Sequence, residues 1–117
     1  MNQLGLSLLK RIKNREAVIG VVGLGYVGLP LAKAFLKKGF AVTGFDIDLR
    51  KVDMQYQGKS YIKHITTAEL HQYLVNKRFS ATTDFSRLRN VDAILICVPI
   101  PLDDQRESPA LKIISLL

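Results

Sequence analysis

"VIGVVGLGYVGLPLAKAFLKKGFAVTGFDID", residues 18–48, sets three glycines, Gly23, Gly25 and Gly28, between an apolar run and an amphipathic stretch. Glycine at such a place costs stability unless the backbone must take a shape, or approach something, that a side chain would prevent. The preceding "AVIGVV" (17–22) is short and β-branched, as in a strand buried on both faces. After the glycines, Val27, Leu31, Ala34 and Phe35 predict an apolar stripe on a helix ending at Gly39. Pro30 falls near the first turn of that helix, where a missing N–H costs least. "FAVTGFD" (40–46) reads as a second strand.

The pattern G-x-G-x-x-G is weak by itself. Here it follows a strand, opens a helix, and is answered about 20 residues later by Asp46 at the end of the next strand. That combination points to a dinucleotide. Gly23 permits the tight turn, Gly25 lets the backbone approach a pyrophosphate, and Gly28 lets the helix pack near the strand. The N–H groups at the helix start then face the phosphates, aided by the helix dipole. Asp46 can accept from both ribose hydroxyls and repels a 2′-phosphate, which favours NAD over NADP; Arg50 and Lys51 are the nearby basic residues that bear on this choice.

Downstream the alternation continues. Residues 49–56 predict a helix and "QGKSYIKHI" a loop; "TTAELHQYL" starts a helix, with Thr66 and Glu69 spaced as a capping box. "FSATTD" is a short strand, "FSRLRN" a helical turn and "DAILICV" (92–98) a fourth strand, while Ser108 and Pro109 read as an N-cap and first helical position. The expected fold is therefore α/β, a partial Rossmann-like three-layer parallel sheet of about four strands. Leu4, Leu8, Leu9 and Ile12 add an N-terminal helical arm over 1–15, leaving 16–117 for the partial dinucleotide-binding domain. A full doubly wound fold has about six strands, so the chain reads as truncated before a further domain. The unpaired edge of the fourth strand and the apolar "ALKIISLL" predict a homo-oligomer.

Composition narrows the function classes. With 117 residues, 48% hydrophobic and 23% charged, the chain suits one domain with its own core. The single cysteine, Cys97, excludes an internal disulfide and points to the cytoplasm; within the fourth strand it reads as a buried structural thiol. No apolar run approaches the roughly 20 residues that span a bilayer, and no membrane partner is expected. "MNQLGLSLLKRIK" carries its charges after its apolar part, unlike a signal peptide. The net charge of +7 suits an anionic nucleotide. The dense cluster Lys10, Arg11, Lys13 and Arg15 lacks interleaved aromatics, so no nucleic-acid partner is expected. His64 and His71 lack metal-ligand spacing, and Asp103 and Asp104 read as solvated. No nucleophile, base and oxyanion set is visible, so neither a catalytic residue nor a metal site is expected.

Taken together, "IGVVGLGYVGLPLAKAFLKKGFAVTGFDID", "GKSYIKHI", "FSATTDFSRLRNVDAILICVPIPL" and "DDQRESP" resemble the N-terminal NAD-binding domain of the UDP-glucose/GDP-mannose dehydrogenase family. Within it the likeness is greatest to bacterial UDP-N-acetylhexosamine 6-dehydrogenases. The resemblance implies an NAD-dependent, two-step oxidation of a nucleotide sugar's C6 alcohol to a carboxylate, through a thiohemiacetal on a cysteine, for polysaccharide precursor synthesis. It implies that Tyr26 and Val27 meet the pyrophosphate, Asp46 the adenosine ribose and Lys51 the adenine side, and that Val98 and Pro99 also line the NAD site. Ile100 stands where the family usually has a threonine. The family's catalytic cysteine, lysine and asparagine, and its UDP-sugar domain, would lie downstream of this chain. An alternative of another class is a nucleotide-sensing module of the potassium-channel type, which should show six strands in this length.

Overall fold

The β-branched run does form a strand, and it becomes the middle of the sheet. The computed structural model describes residues 2–57 and 67–97. Four parallel strands, β1 (Val18–Val22), β2 (Ala41–Phe45), β3 (Phe79–Thr82) and β4 (Ala93–Ile96), lie in the order β3-β2-β1-β4. The chain winds outward from β1 through β2 to β3, then returns to the other side of β1. This reversal creates a switch point between the carboxyl ends of β1 and β4, where open α/β sheets bind ligands.

Helices α1 (Gln3–Lys13), α2 (Gly28–Lys37), α3 (Leu49–Tyr56) and α4 (Thr67–Val75) match the expected elements. A 3₁₀ turn spans Phe85–Asn90. One face of the sheet presents Ile19, Val21, Val42, Phe79 and Ala81 to Leu29, Ala32 and Leu36 of α2, Val52 of α3 and Leu70 of α4. The other face packs Val22 and Phe45 against Leu88 of the 3₁₀ turn, with Phe85 and Val91 alongside. Local signals set the starts: Asp48 accepts from the N–H of Arg50, and Asp84 from that of Ser86. The first helix of the glycine region ends with Lys38 as cap and Gly39 at φ +95°, a left-handed residue that suits glycine.

Two expectations change. The buried face of α2 is Gly28, Leu29, Ala32 and Leu36, whereas Val27 and Ala34 are exposed and Leu31 and Phe35 only half-buried. The cause is the close approach at Gly28, which turns that face of the helix onto the sheet. Cys97 lies just past β4 and is half-buried; its N–H donates to Val22 O at 2.7 Å, and burial pushes its thiol pKa up. Thr66, His64, Ile100, Asp103, Asp104, Ser108 and Pro109 fall outside the described residues. His71 is exposed, and no metal-binding cluster occurs among the described residues.

The arm, α1, is fastened to the sheet at one end. Asp92 receives the Arg11 guanidinium on Oδ1 and the Val18 N–H on Oδ2, the latter at 2.7 Å. Arg15 donates to Lys38 O at 3.0 Å and lies over the Phe40 ring, 5.4 Å from its centroid.

One polar group disagrees with its surroundings. Gln55, on the inner face of α3, is fully buried, and neither its amide nitrogen nor its oxygen has a hydrogen-bond partner among the described residues. An unpaired buried amide costs about 1–3 kcal/mol. Gln55→Leu, similar in volume, should therefore raise the thermal midpoint by several degrees, about 4–8 °C per kcal/mol. A midpoint that falls would show that the amide is paired in solution.

Candidate functional site

The carboxyl end of β1 carries the glycine turn. Gly23 has φ +97°, a conformation that disfavours any side chain, and its N–H donates to Phe45 O at 2.7 Å. Gly28 opens α2 directly beneath: a Cβ there would lie 1.7 Å from Gly23 O. These two glycines are required by the protein's own packing. Gly25 is different. A Cβ at Gly25 would meet only the Lys51 ammonium, at 4.0 Å, and its φ lies outside the left-handed region. The fold leaves that side of the loop open, a cradle that a side chain would fill.

Asp46 follows β2 and is 7% exposed. Its Oδ2 accepts the Leu24 N–H at 2.8 Å and its Oδ1 the Asp48 N–H at 2.9 Å. The carboxylate thus ties the glycine loop to the segment entering α3. Each oxygen retains a further lone pair, so hydroxyl donors can still be accommodated. The start of α2 has Val27 at its cap position and no side-chain cap. Leu29 N–H donates to Gly25 O at 3.1 Å and Pro30 carries no N–H, so it is the positive dipole end of the helix that the site offers an anion. Tyr26 and Val27 are 82% and 66% exposed on the loop.

The basic residues behave differently from each other. Arg50 pairs with Asp48, Nε to Oδ1 at 3.2 Å, and its hydrogen bond holds the Asp48 carboxyl below the usual carboxylate range. Lys51, one residue on, reaches across to Gly25. The structure thus gathers Gly23, Gly25, Tyr26, Val27, Gly28, Asp46 and Lys51 at one edge of the sheet, with Arg50 turned to Asp48. Val98 and Pro99 lie outside the described residues.

Two contributors escaped the sequence reading. Leu24 is fully buried, and its side chain occupies the space that a Cβ at Gly44 would take, 2.6 Å from Leu24 Cδ2. An isolated glycine within a strand, as in "AVTGF", was the available signal. Asp48, as cap of α3 and partner of Arg50, was the other. An open glycine loop, a buried carboxylate acceptor and a nearby ammonium group make an arrangement that suits a bound nucleotide.

Comparison with known proteins agrees. The profile of the "UDP-glucose/GDP-mannose dehydrogenase family, NAD binding domain" matches residues 17–116. The chain is 34% identical over 93 residues to a UDP-N-acetyl-D-glucosamine 6-dehydrogenase of Pseudomonas aeruginosa, covering 80% of this chain and 21% of that protein. It is 33% identical over 103 residues to a UDP-N-acetyl-D-mannosamine dehydrogenase of Campylobacter jejuni, covering 88% and 25%. A crystal structure of a GDP-mannose dehydrogenase ternary complex from Pseudomonas aeruginosa superposes with a TM-score of 0.71 at 34% identity, over 84% of this chain and 23% of that one. The chain therefore spans a quarter or less of the length of these relatives. The potassium-channel alternative finds no support here, and the described residues hold four strands rather than six. With the glycine turn, the switch point and Asp46 in place, the chain belongs to the UDP-glucose/GDP-mannose dehydrogenase family as its NAD-binding domain.

Proposed function

We propose that this chain is the NAD-holding part of a cytoplasmic enzyme that oxidises the C6 alcohol of a UDP-sugar to a carboxylate, for polysaccharide precursors. The observation that carries this reading is the open cradle at Gly25, beside a buried acceptor, Asp46, at the switch point. NAD, when bound, supplies the hydride acceptor. The pyrophosphate would lie along Gly25 and the start of α2, near Tyr26 and Val27, with the Lys51 ammonium opposing its charge. The ribose hydroxyls would donate to Asp46, and Val98 and Pro99 would continue the lining. Sugar binding and oxidation would require residues outside this chain. The exposed Ile94 and Ile96 on β4, an edge strand among the described residues, favour a homo-oligomeric assembly.

Two glycine substitutions separate ligand from fold. Gly25→Val should leave the circular dichroism spectrum and melting midpoint near those of the parent while abolishing NAD binding in titration calorimetry. Gly28→Ala, which drives a methyl into a backbone oxygen, should unfold or strongly destabilise the chain. Undiminished NAD binding by folded Gly25→Val would remove the pyrophosphate assignment.

Asp46 needs a different measurement, because its loss also strands the Leu24 N–H. The informative quantity is the ratio of NAD to NADP affinity. It should favour NAD in the parent and collapse by about 10-fold or more in Asp46→Asn, through lost repulsion of the 2′-phosphate. An unchanged ratio would place the ribose elsewhere.

The chain alone should form no NADH from UDP-N-acetylglucosamine, followed by absorbance, even where calorimetry shows NAD bound. Turnover would refute the assignment of catalysis to residues outside it.

A further inference from the structure

In a parallel sheet every strand begins at the same edge, and here that edge lies opposite the glycine turn. The turns leading into β1, β2 and β3 sit side by side there, because those strands are neighbours. They carry Lys13, Arg15, Lys37, Lys38, Lys77 and Arg78, all exposed. Hydrogen bonds join the three turns: Arg15 donates to Lys38 O at 3.0 Å, and Arg78 donates to Gly39 O. Both guanidinium groups thus engage backbone oxygens rather than carboxylates. Among the described residues no carboxylate lies within ion-pair distance of these six; the ion pairs present are Arg11–Asp92, Lys33–Glu69 and Arg50–Asp48. Arg15 and Lys77 also hold left-handed backbone, at φ 64° and 58°, where glycine would sit without strain. The sequence keeps a cation at both positions.

Against this edge stands α1, which has no buried residue. Leu4, Leu8 and Ile12 form one exposed stripe at successive turns, with Leu9 exposed at its margin and Leu6 exposed on the opposite side of the helix; Leu4 is 81% exposed. Lys10 and Lys13 follow Leu6 and Leu9 by one turn on the same helix. The Arg11–Asp92 pair fixes the base of α1 to the sheet, so the apolar stripe and the basic edge belong to one body.

We infer that α1 and the basic edge bind the surface of an anionic lipid bilayer, the leucines entering the acyl boundary and the lysines and arginines meeting headgroup phosphates. An exposed apolar stripe joined to unpaired cations is what such a surface recognises. Nucleic acid would use the cations but not the leucines, and α1 presents no aromatic ring for a base to stack on. Symmetric docking of a second copy on this face would bring two basic edges together, an arrangement opposed by like charge. The sequence expectation of no membrane partner rested on the lack of a spanning segment. No helix among the described residues is long and apolar enough to cross a membrane, and a surface contact needs none. The inference is independent of the nucleotide assignment, since the glycine turn faces the other way.

Co-sedimentation of the chain with phosphatidylcholine vesicles, plain or containing phosphatidylglycerol, tests it. The chain should pellet with the anionic vesicles only and be released by high salt. Lys37→Gln with Lys38→Gln should weaken binding about thirtyfold, and Lys77→Gly about fivefold without lowering the melting midpoint. Leu8→Ser should weaken it about tenfold. Equal binding to plain vesicles, or none to either, would overturn the inference, as would indifference to the lysine changes. A dimer dissolved by Leu8→Ser, with no vesicle binding, would identify the face as a contact between copies and overturn it too. Capture by a single-stranded oligonucleotide without vesicle binding would do the same. NAD titrations on these variants should match the parent; failure of the parent to bind NAD would count against the nucleotide assignment alone.

Discussion

The carboxylate of Asp46 is where the strand pairing, the glycine turn and the next helix meet. One oxygen holds the loop through Leu24, and the other holds the entry to α3 through Asp48. Both donors are backbone groups near the sheet edge, and a buried N–H left without an acceptor is costly. A single acidic residue therefore organises the loop before any ligand arrives. Under the proposed function its remaining lone pairs would serve the ribose, so the residue that shapes the site would also be the one that reads the ligand.

Around that tie the three loop glycines divide their work. Gly23 answers to its dihedral angle and Gly28 to the carbonyl oxygen above it. Neither constraint involves a nucleotide, and a protein with this packing would need both glycines even if it bound nothing. Gly25 has no such reason. The strength of the glycine pattern as a functional signal thus rests on its middle member.

Much of this was legible because it is local. Spacing of glycines, a β-branched run and an acidic residue at a strand end are all short-range patterns, and α3 falls on the expected residues 49–56. The phase of α2 could not. Periodicity offered the stripe through Val27, Leu31, Ala34 and Phe35, whereas the backbone contact at Gly28 rotated the buried face onto Leu29, Ala32 and Leu36. Arg11 and Asp92 meet across 81 positions, and the seat of Leu24 against Gly44 joins a loop to the neighbouring strand. Neither contact has a sequence period. The basic edge was visible as composition, but its coherence came only from the parallel order that lines up three separate turns.

The seat of Leu24 has a consequence for when the costs of recognition fall. A phosphate-binding loop made only of glycine and polar residues is free to wander until its ligand orders it, and that ordering subtracts from affinity. Here one loop side chain is fully sunk in the core, in the gap left by Gly44. The loop's conformational entropy has therefore been surrendered during folding, and the nucleotide meets a turn already at rest.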